Sequence, residues 1–158
     1  MSNKPILEVE KLNVGYQTKD GEIHAVQDVS FKVFSNEVFG IAGESGCGKS
    51  TLIKAIMRLL PENGKMDAHS IKYKDQKIDR MSENIFRNEV LWAQISLVPQ
   101  SAMNSLNPVY KVGEQIVEAI QAHTSQGKKE ARERVEELFD EVGLQSEFMD
   151  SFPHEFSG

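Results

Sequence analysis

Gly43, Gly48, Lys49 and Ser50 stand at the spacing G-x-x-x-x-G-K-[ST], within the run Gly43-Glu44-Ser45-Gly46-Cys47-Gly48-Lys49-Ser50-Thr51. These residue types at this spacing suit one chemistry, the gripping of a phosphate. Glycines let the backbone N–H groups of residues 44–49 curl around an anion without Cβ clashes. A helix beginning at Lys49 points its positive end and its unpaired N–H groups at the same anion. Lys49 would reach the β- and γ-phosphates of a nucleotide, the Ser50 hydroxyl would hold Mg²⁺, and Thr51 adds a further hydroxyl near the phosphates. Cys47 admits two readings: a redox-sensitive thiol beside a helix N-terminus, or simply a small residue that fits the loop.

Such a loop has to be held between a strand and a helix, and the flanking sequence offers both. Val38–Ala42 reads as the strand that leads in. Leu52, Ile53, Ile56, Leu59 and Leu60 recur at helical spacing, so a helix is expected over 49–60, stopped by Pro61-Glu62-Asn63-Gly64. Upstream, 6–14 and 23–34 read as strands around a turn at Lys19-Asp20-Gly21. Ser35-Asn36 makes the next turn, where Asn36 tolerates left-handed backbone. Strands are expected at 70–74 and 94–98, with a helix over Ser82–Leu91 between them. Beyond residue 100 the pattern becomes helical, over Val112–His123 and Lys128–Val142, with Gly143 closing the second helix. The charges on that helix, from Lys128 to Glu137, read as a solvated face with i,i+4 support. The division expected is a nucleotide-binding core over 1–100 and a helical subdomain over 101–158.

Composition narrows the class. In 158 residues, 39% hydrophobic and 27% charged, the chain can bury a core, and a net charge of −6 argues against a nucleic-acid partner. No apolar run approaches the length of a membrane span, since Lys54 and Arg58 break Leu52–Leu60. One cysteine, Cys47, excludes an internal disulfide, and the N-terminus has no stretch suited to a secretion signal. A soluble protein of a reducing cytosol is expected.

Three more segments carry a resemblance. Val14-Gly15-Tyr16 lies upstream of the phosphate loop. Val98-Pro99-Gln100 is followed by Ser105-Leu106-Asn107-Pro108 and Val112-Gly113-Glu114-Gln115. Phe152-Pro153-His154-Glu155-Phe156-Ser157-Gly158 ends the chain. Together with the loop, these resemble an ABC-transporter ATPase of the oligopeptide/dipeptide importer branch, over essentially the whole chain. The resemblance implies an α/β P-loop NTPase core with an N-terminal antiparallel β subdomain and a helical subdomain. It implies ATP and Mg²⁺ as cofactors, with Tyr16 stacking on adenine and Gln100 meeting Mg²⁺ and the attacking water. Ser157, at the start of the family signature, would contact nucleotide bound by an opposite subunit; Phe156 stands where leucine is commoner. The partners implied are a second ATPase subunit, membrane permease subunits that hold the protein at the inner face of the membrane, and indirectly a solute-binding protein.

Relatives continue past the signature with an apolar strand ending in Asp-Glu and a later switch histidine. The chain is therefore expected to be a fragment whose core sheet is incomplete, able to bind nucleotide without turnover. Two other classes stay open at this point: an unrelated P-loop kinase-like enzyme, and a non-catalytic module whose docking surface the nucleotide stabilises. A GTPase is disfavoured by the absence of an Asn/Thr-Lys-x-Asp motif.

Overall fold

Two runs of fourteen residues, β1 (Pro5–Thr18) and β2 (Gly21–Phe34), pair antiparallel around the Lys19-Asp20 turn. Their register shifts at four places, two of them between Val9 and Leu12 and between Leu12 and Val14, and both Lys11 and Asp28 have left-handed backbone there. Such bulges leave N–H groups without a ladder partner. Side chains take over: Ser30 Oγ accepts from the Lys11 N–H and Asn13 Oδ1 from the Asp28 N–H, each at 2.9 Å. The structure, a computed structural model, describes residues 4–91, 93–99 and 105–156.

The far side of β1 carries two short strands in succession. β3 (Gly64–Asp67) pairs with Asn13–Tyr16, and β4 (Ser70–Tyr73) pairs with Leu7–Glu10. β5 (Gln76–Lys77) pairs with β4 through a two-residue turn, Lys74-Asp75, in which both residues have positive φ, the primed turn that matches strand twist. Every pairing is antiparallel. Glu8 faces Lys32 on one side and Lys72 on the other, at 2.5 and 3.1 Å, and the two ammonium groups hold its carboxyl below the usual range.

α1 (Lys49–Ile56) packs on β1 and β2, with Leu52, Ala55 and Ile56 buried beside the core residues Val14 and Val26. It ends earlier than the apolar spacing predicts. Arg58 takes φ +54° and breaks the helix, so Leu59 is exposed instead of extending the buried face. The Arg58 side chain donates to the carbonyls of Ile78 and, at 2.9 Å, Met81. Ile78 opens a short 3-10 turn ending at Arg80. α2 (Glu83–Ile85) follows, capped by Ser82, and widens into one π turn over Phe86–Val90. This realises the helix expected over 82–91, with Phe86 and Val90 fully buried.

Two expected strands do not form. Residues 37–44 carry no ladder, and Val38 is fully exposed, although Phe39 stacks on Phe31 with ring centroids 5.1 Å apart. Of the strand expected over 94–98, Ile95 makes only an isolated bridge and residues 96–98 carry no ladder. A strand exists only through a partner, and no described strand pairs with either segment.

The chain divides into two compact units, Met1–Leu91 and Trp92–Gly158. In the second, α3 (Val112–His123) and α4 (Lys128–Glu141) enclose a core of Val112, Val117, Ala131, Val135, Phe139 and Met149. Glu130 reaches back to the Gly127 N–H at 3.1 Å to cap α4, and Gly143 ends it at φ +75°. The exposed face of α4 carries the expected pairs, Lys129–Glu133 and Arg132–Glu136, and Arg134 bridges Glu137 and Glu141. Gln115 clasps the preceding loop, accepting from the Asn107 N–H and donating to the carbonyls of Asn107 and Tyr110. No helix among the described residues is long and apolar enough to cross a membrane.

Candidate phosphate site

Asn36 turns the chain out of β2 with φ +61°, as its residue type predicts, and the extended segment after it delivers Gly43 to the loop. The loop then closes on itself, the Cys47 N–H donating to the Glu44 carbonyl at 3.3 Å. Gly46 and Gly48 have φ of +82° and +93°, a region closed to most residues with a side chain. Gly48 also lies against β2. A Cβ built on it would fall 2.3 Å from the Ala25 carbonyl oxygen, so the cradle is one that a side chain would fill.

α1 starts directly after Gly48, with no side-chain cap and no acidic residue in its first turn. The first helical bond is Leu52 N–H to the Gly48 carbonyl at 2.8 Å. The N–H groups of residues 49–51 therefore open toward the loop without intrahelical acceptors, an arrangement suited to an anion. Lys49 curls into the same place, donating to the carbonyls of Gly43 at 2.8 Å and Glu44 at 2.6 Å, with Cys47 Sγ at 3.5 Å. Glu44, Ser45 and Ser50 are exposed, and Cys47 is a free, exposed thiol.

Tyr16, near the end of β1, comes to the same helix. Its hydroxyl and that of Thr51 share a hydrogen bond at 3.2 Å. A cleft of about 350 Å³ opens beside the loop, lined among others by Ala25, Val29, Ala42, Gly48, Lys49 and Leu52. Residues 43–51 and Tyr16, far apart in sequence, are thus one locality. Gln100 and Ser157 lie outside the described residues.

The donor set fits a nucleotide phosphate: a cradle without side chains, free helix N–H groups and an ammonium on a flexible stem. For the metal, the described residues hold no cluster of three or more His, Cys, Asp or Glu. A magnesium ion here would rest on the Ser50 hydroxyl and on oxygens of the phosphates themselves, as its chemistry allows. Two contacts escape sequence reasoning, Gly48 against Ala25 and Tyr16 against Thr51. Each depends on how β1 and β2 lie across the loop, and no local pattern announces it.

Residues 26–158 match the family model described as ABC transporter. The chain belongs to the ABC transporter family. It is 38% identical over 156 residues to the dipeptide transport ATP-binding protein of Bacillus subtilis, covering 97% of this chain and 46% of that protein. To the oligopeptide transport ATP-binding protein of Salmonella typhimurium it is 39% identical over 155 residues, covering 97% and 46%. The chain thus spans about half the length of the curated relatives it matches. Among solved structures, a dimeric ATP-binding cassette, MJ0796, bound to ADP and Pi in a post-hydrolysis state, superimposes with a TM-score of 0.75 at 21% identity. That match covers 96% of this chain and 63% of the cassette. The cbiO1 protein of Clostridium perfringens, part of an ABC transporter complex, matches with a TM-score of 0.65 at 27% identity, covering 97% and 56%. The fold is that of an ABC ATPase cassette, the α/β P-loop class expected from the sequence.

Proposed function

We propose that this chain carries the nucleotide grip of an ATP-binding subunit of an ABC importer, coupling ATP binding and hydrolysis to the uptake of peptides or similar small solutes. The observation that carries the reading is the loop itself: Gly48 pressed on Ala25, α1 opening uncapped behind it, and the Lys49 ammonium drawn onto the carbonyls of Gly43 and Glu44. The similarity to dipeptide and oligopeptide transport ATP-binding proteins supports the importer assignment.

In this reading the N–H groups of residues 44–49 and the Lys49 ammonium bind the phosphates, and Gly43, Gly46 and Gly48 keep the cradle free of side chains. Glu44, Ser45 and Cys47 contribute backbone, the Ser50 hydroxyl holds Mg²⁺, and Tyr16 offers its ring to adenine. Gln100 orients metal and water, and Ser157 serves the nucleotide of a second ATPase subunit arranged head-to-tail. ATP bound with Mg²⁺ supplies the phosphoryl group whose transfer drives the cycle. Permease subunits receive the motion at the inner face of the membrane, with a solute-binding protein upstream. Apart from Gln100, the residues named here supply binding. Ground-state binding alone does not accelerate a reaction, and in this reading the chain by itself binds Mg-ATP without turning it over.

Calorimetric titration of the chain and of Lys49→Ala with Mg-ATP and Mg-GTP tests the proposal, with phosphate release followed in parallel. Binding that vanishes in the variant, without phosphate release, is expected. Undiminished binding by Lys49→Ala would refute the site, and turnover by this chain would reopen the kinase-like class.

A further inference from the structure

We infer that Thr51 is a positioning residue for the base-binding ring, tying Tyr16 to the helix that grips the phosphates; the inference rests on the function proposed above. Two neighbouring strands already fix the main chain of Tyr16. It pairs with Ile23 on β2 and with Gly64 on β3. The next residue, Gln17, donates to the Asn63 carbonyl at 2.8 Å and accepts from Asn63 Nδ2 at 3.1 Å. What remains free is the swing of the ring about its own torsions.

Two contacts remove that swing. On one side the ring packs on the bare Cα of Gly64, where a Cβ would come within 3.2 Å of Tyr16 Cε1. On the other, the hydroxyl of Thr51 meets that of Tyr16 at 3.2 Å. Thr51 is the third residue of α1, two residues after Lys49, and helical backbone restricts its β-branched side chain to few rotamers. In the rotamer seen here its hydroxyl reaches Tyr16. The ring that takes a purine and the helix N-terminus that takes its phosphates are thereby held at one spacing by a single pair of hydroxyls. Adenine affinity then depends on a residue that does not touch the base.

Tyr16→Phe keeps the stacking face and removes the tether from one end; Thr51→Val removes it from the other. Calorimetry on the chain compares these variants, the double variant and Thr51→Ser, using Mg-ATP and, as a probe without a base, inorganic tripolyphosphate with Mg²⁺. A neutral hydrogen bond is worth about 0.5–1.5 kcal/mol, or a roughly twofold to tenfold change in affinity. Each single variant should lose that much more affinity for ATP than for tripolyphosphate. The double variant should lose no more than either single one, and Thr51→Ser, which keeps the hydroxyl, should lose less than Thr51→Val. Equal losses for both ligands in Thr51→Val would overturn the inference and return the hydroxyl to a phosphate role. Additive losses in the double variant would overturn it as well. A parent chain that binds tripolyphosphate as tightly as ATP would refute the base contact while leaving the phosphate grip standing. Binding of neither would overturn both proposals.

Discussion

The guanidinium of Arg58 lies over the ring of Phe86, 4.3 Å from carbon to centroid, while its nitrogens bond the carbonyls of Ile78 and Met81 and approach Glu83 at 3.4 Å. One side chain thus terminates α1 and fastens it to the segment that runs from β5 to α2. Phe86 is fully buried, and the Arg58 side chain is only 17% exposed. Removing it leaves two carbonyls short of a donor, at about 1–3 kcal/mol, and forfeits a cation–π contact of about 0.5–2 kcal/mol. Arg58→Ala should therefore destabilise the protein by about 2–4 kcal/mol in chemical denaturation. Arg58→Lys keeps the charge but not the planar fork, and should recover only part of the loss. A variant as stable as the parent would show that the clasp contributes nothing.

The close approach of β2 to the phosphate loop predicts a sharp contrast between two glycines. Gly48→Ala forces a side chain onto φ +93° and drives its Cβ against the Ala25 carbonyl. The strained backbone alone costs about 1–3 kcal/mol. The loop must open to relieve it, so Mg-ATP affinity should fall at least about tenfold. Gly40→Ala meets nothing within 4 Å and should change stability by less than about 0.5 kcal/mol. Calorimetry and denaturant titration on both variants check the pair, and equal effects would refute the crowding at Gly48.

In the helical unit, Asp150 joins Lys111 at 3.3 Å and Arg132 at 3.2 Å. The hydrogen bond from Lys111, aided by the Arg132 charge, holds its carboxyl below the usual aspartate range. A carboxyl depressed by folding adds stability that is present above its unfolded pKa and is lost as pH falls through the folded one. The gap in Tm between the parent and Asp150→Asn should accordingly be largest near neutrality and shrink as pH drops below about 4. All three side chains are substantially exposed, so added salt should narrow the gap too. A gap that is constant from neutral to acid pH would show that the aspartate's charge plays no part.

The long hairpin, both helices of the second unit and the left-handed Asn36 were readable because each follows from local residue types. The turn at Lys19-Asp20 and the glycine at 143 need no knowledge of the rest of the chain. Val38–Ala42 and residues 94–98 have equally strand-like composition, yet strand formation is decided by a neighbour, and none of the described strands pairs with them. The early end of α1 was hidden for the converse reason: Arg58 reads as an ordinary exposed helix residue until Phe86 and two carbonyls are brought beneath it. β3 escaped notice because four residues, Gly64–Asp67, carry too little pattern to register. At the site, the loop residues were legible from spacing alone. The fit of Gly48 under Ala25 and the bond between Tyr16 and Thr51 belong to tertiary structure.

Under the proposed function, the seat that Lys49 takes on the carbonyls of Gly43 and Glu44 makes nucleotide capture a contest for one cation. A lone small anion arriving at the loop would have to draw the ammonium away from two short bonds while offering few oxygens in return. A polyphosphate offers many at once, to the lysine and to the helix N–H groups together. Under the proposed function the loop's own backbone would thereby favour polyphosphates over orthophosphate and sulfate before any base is read.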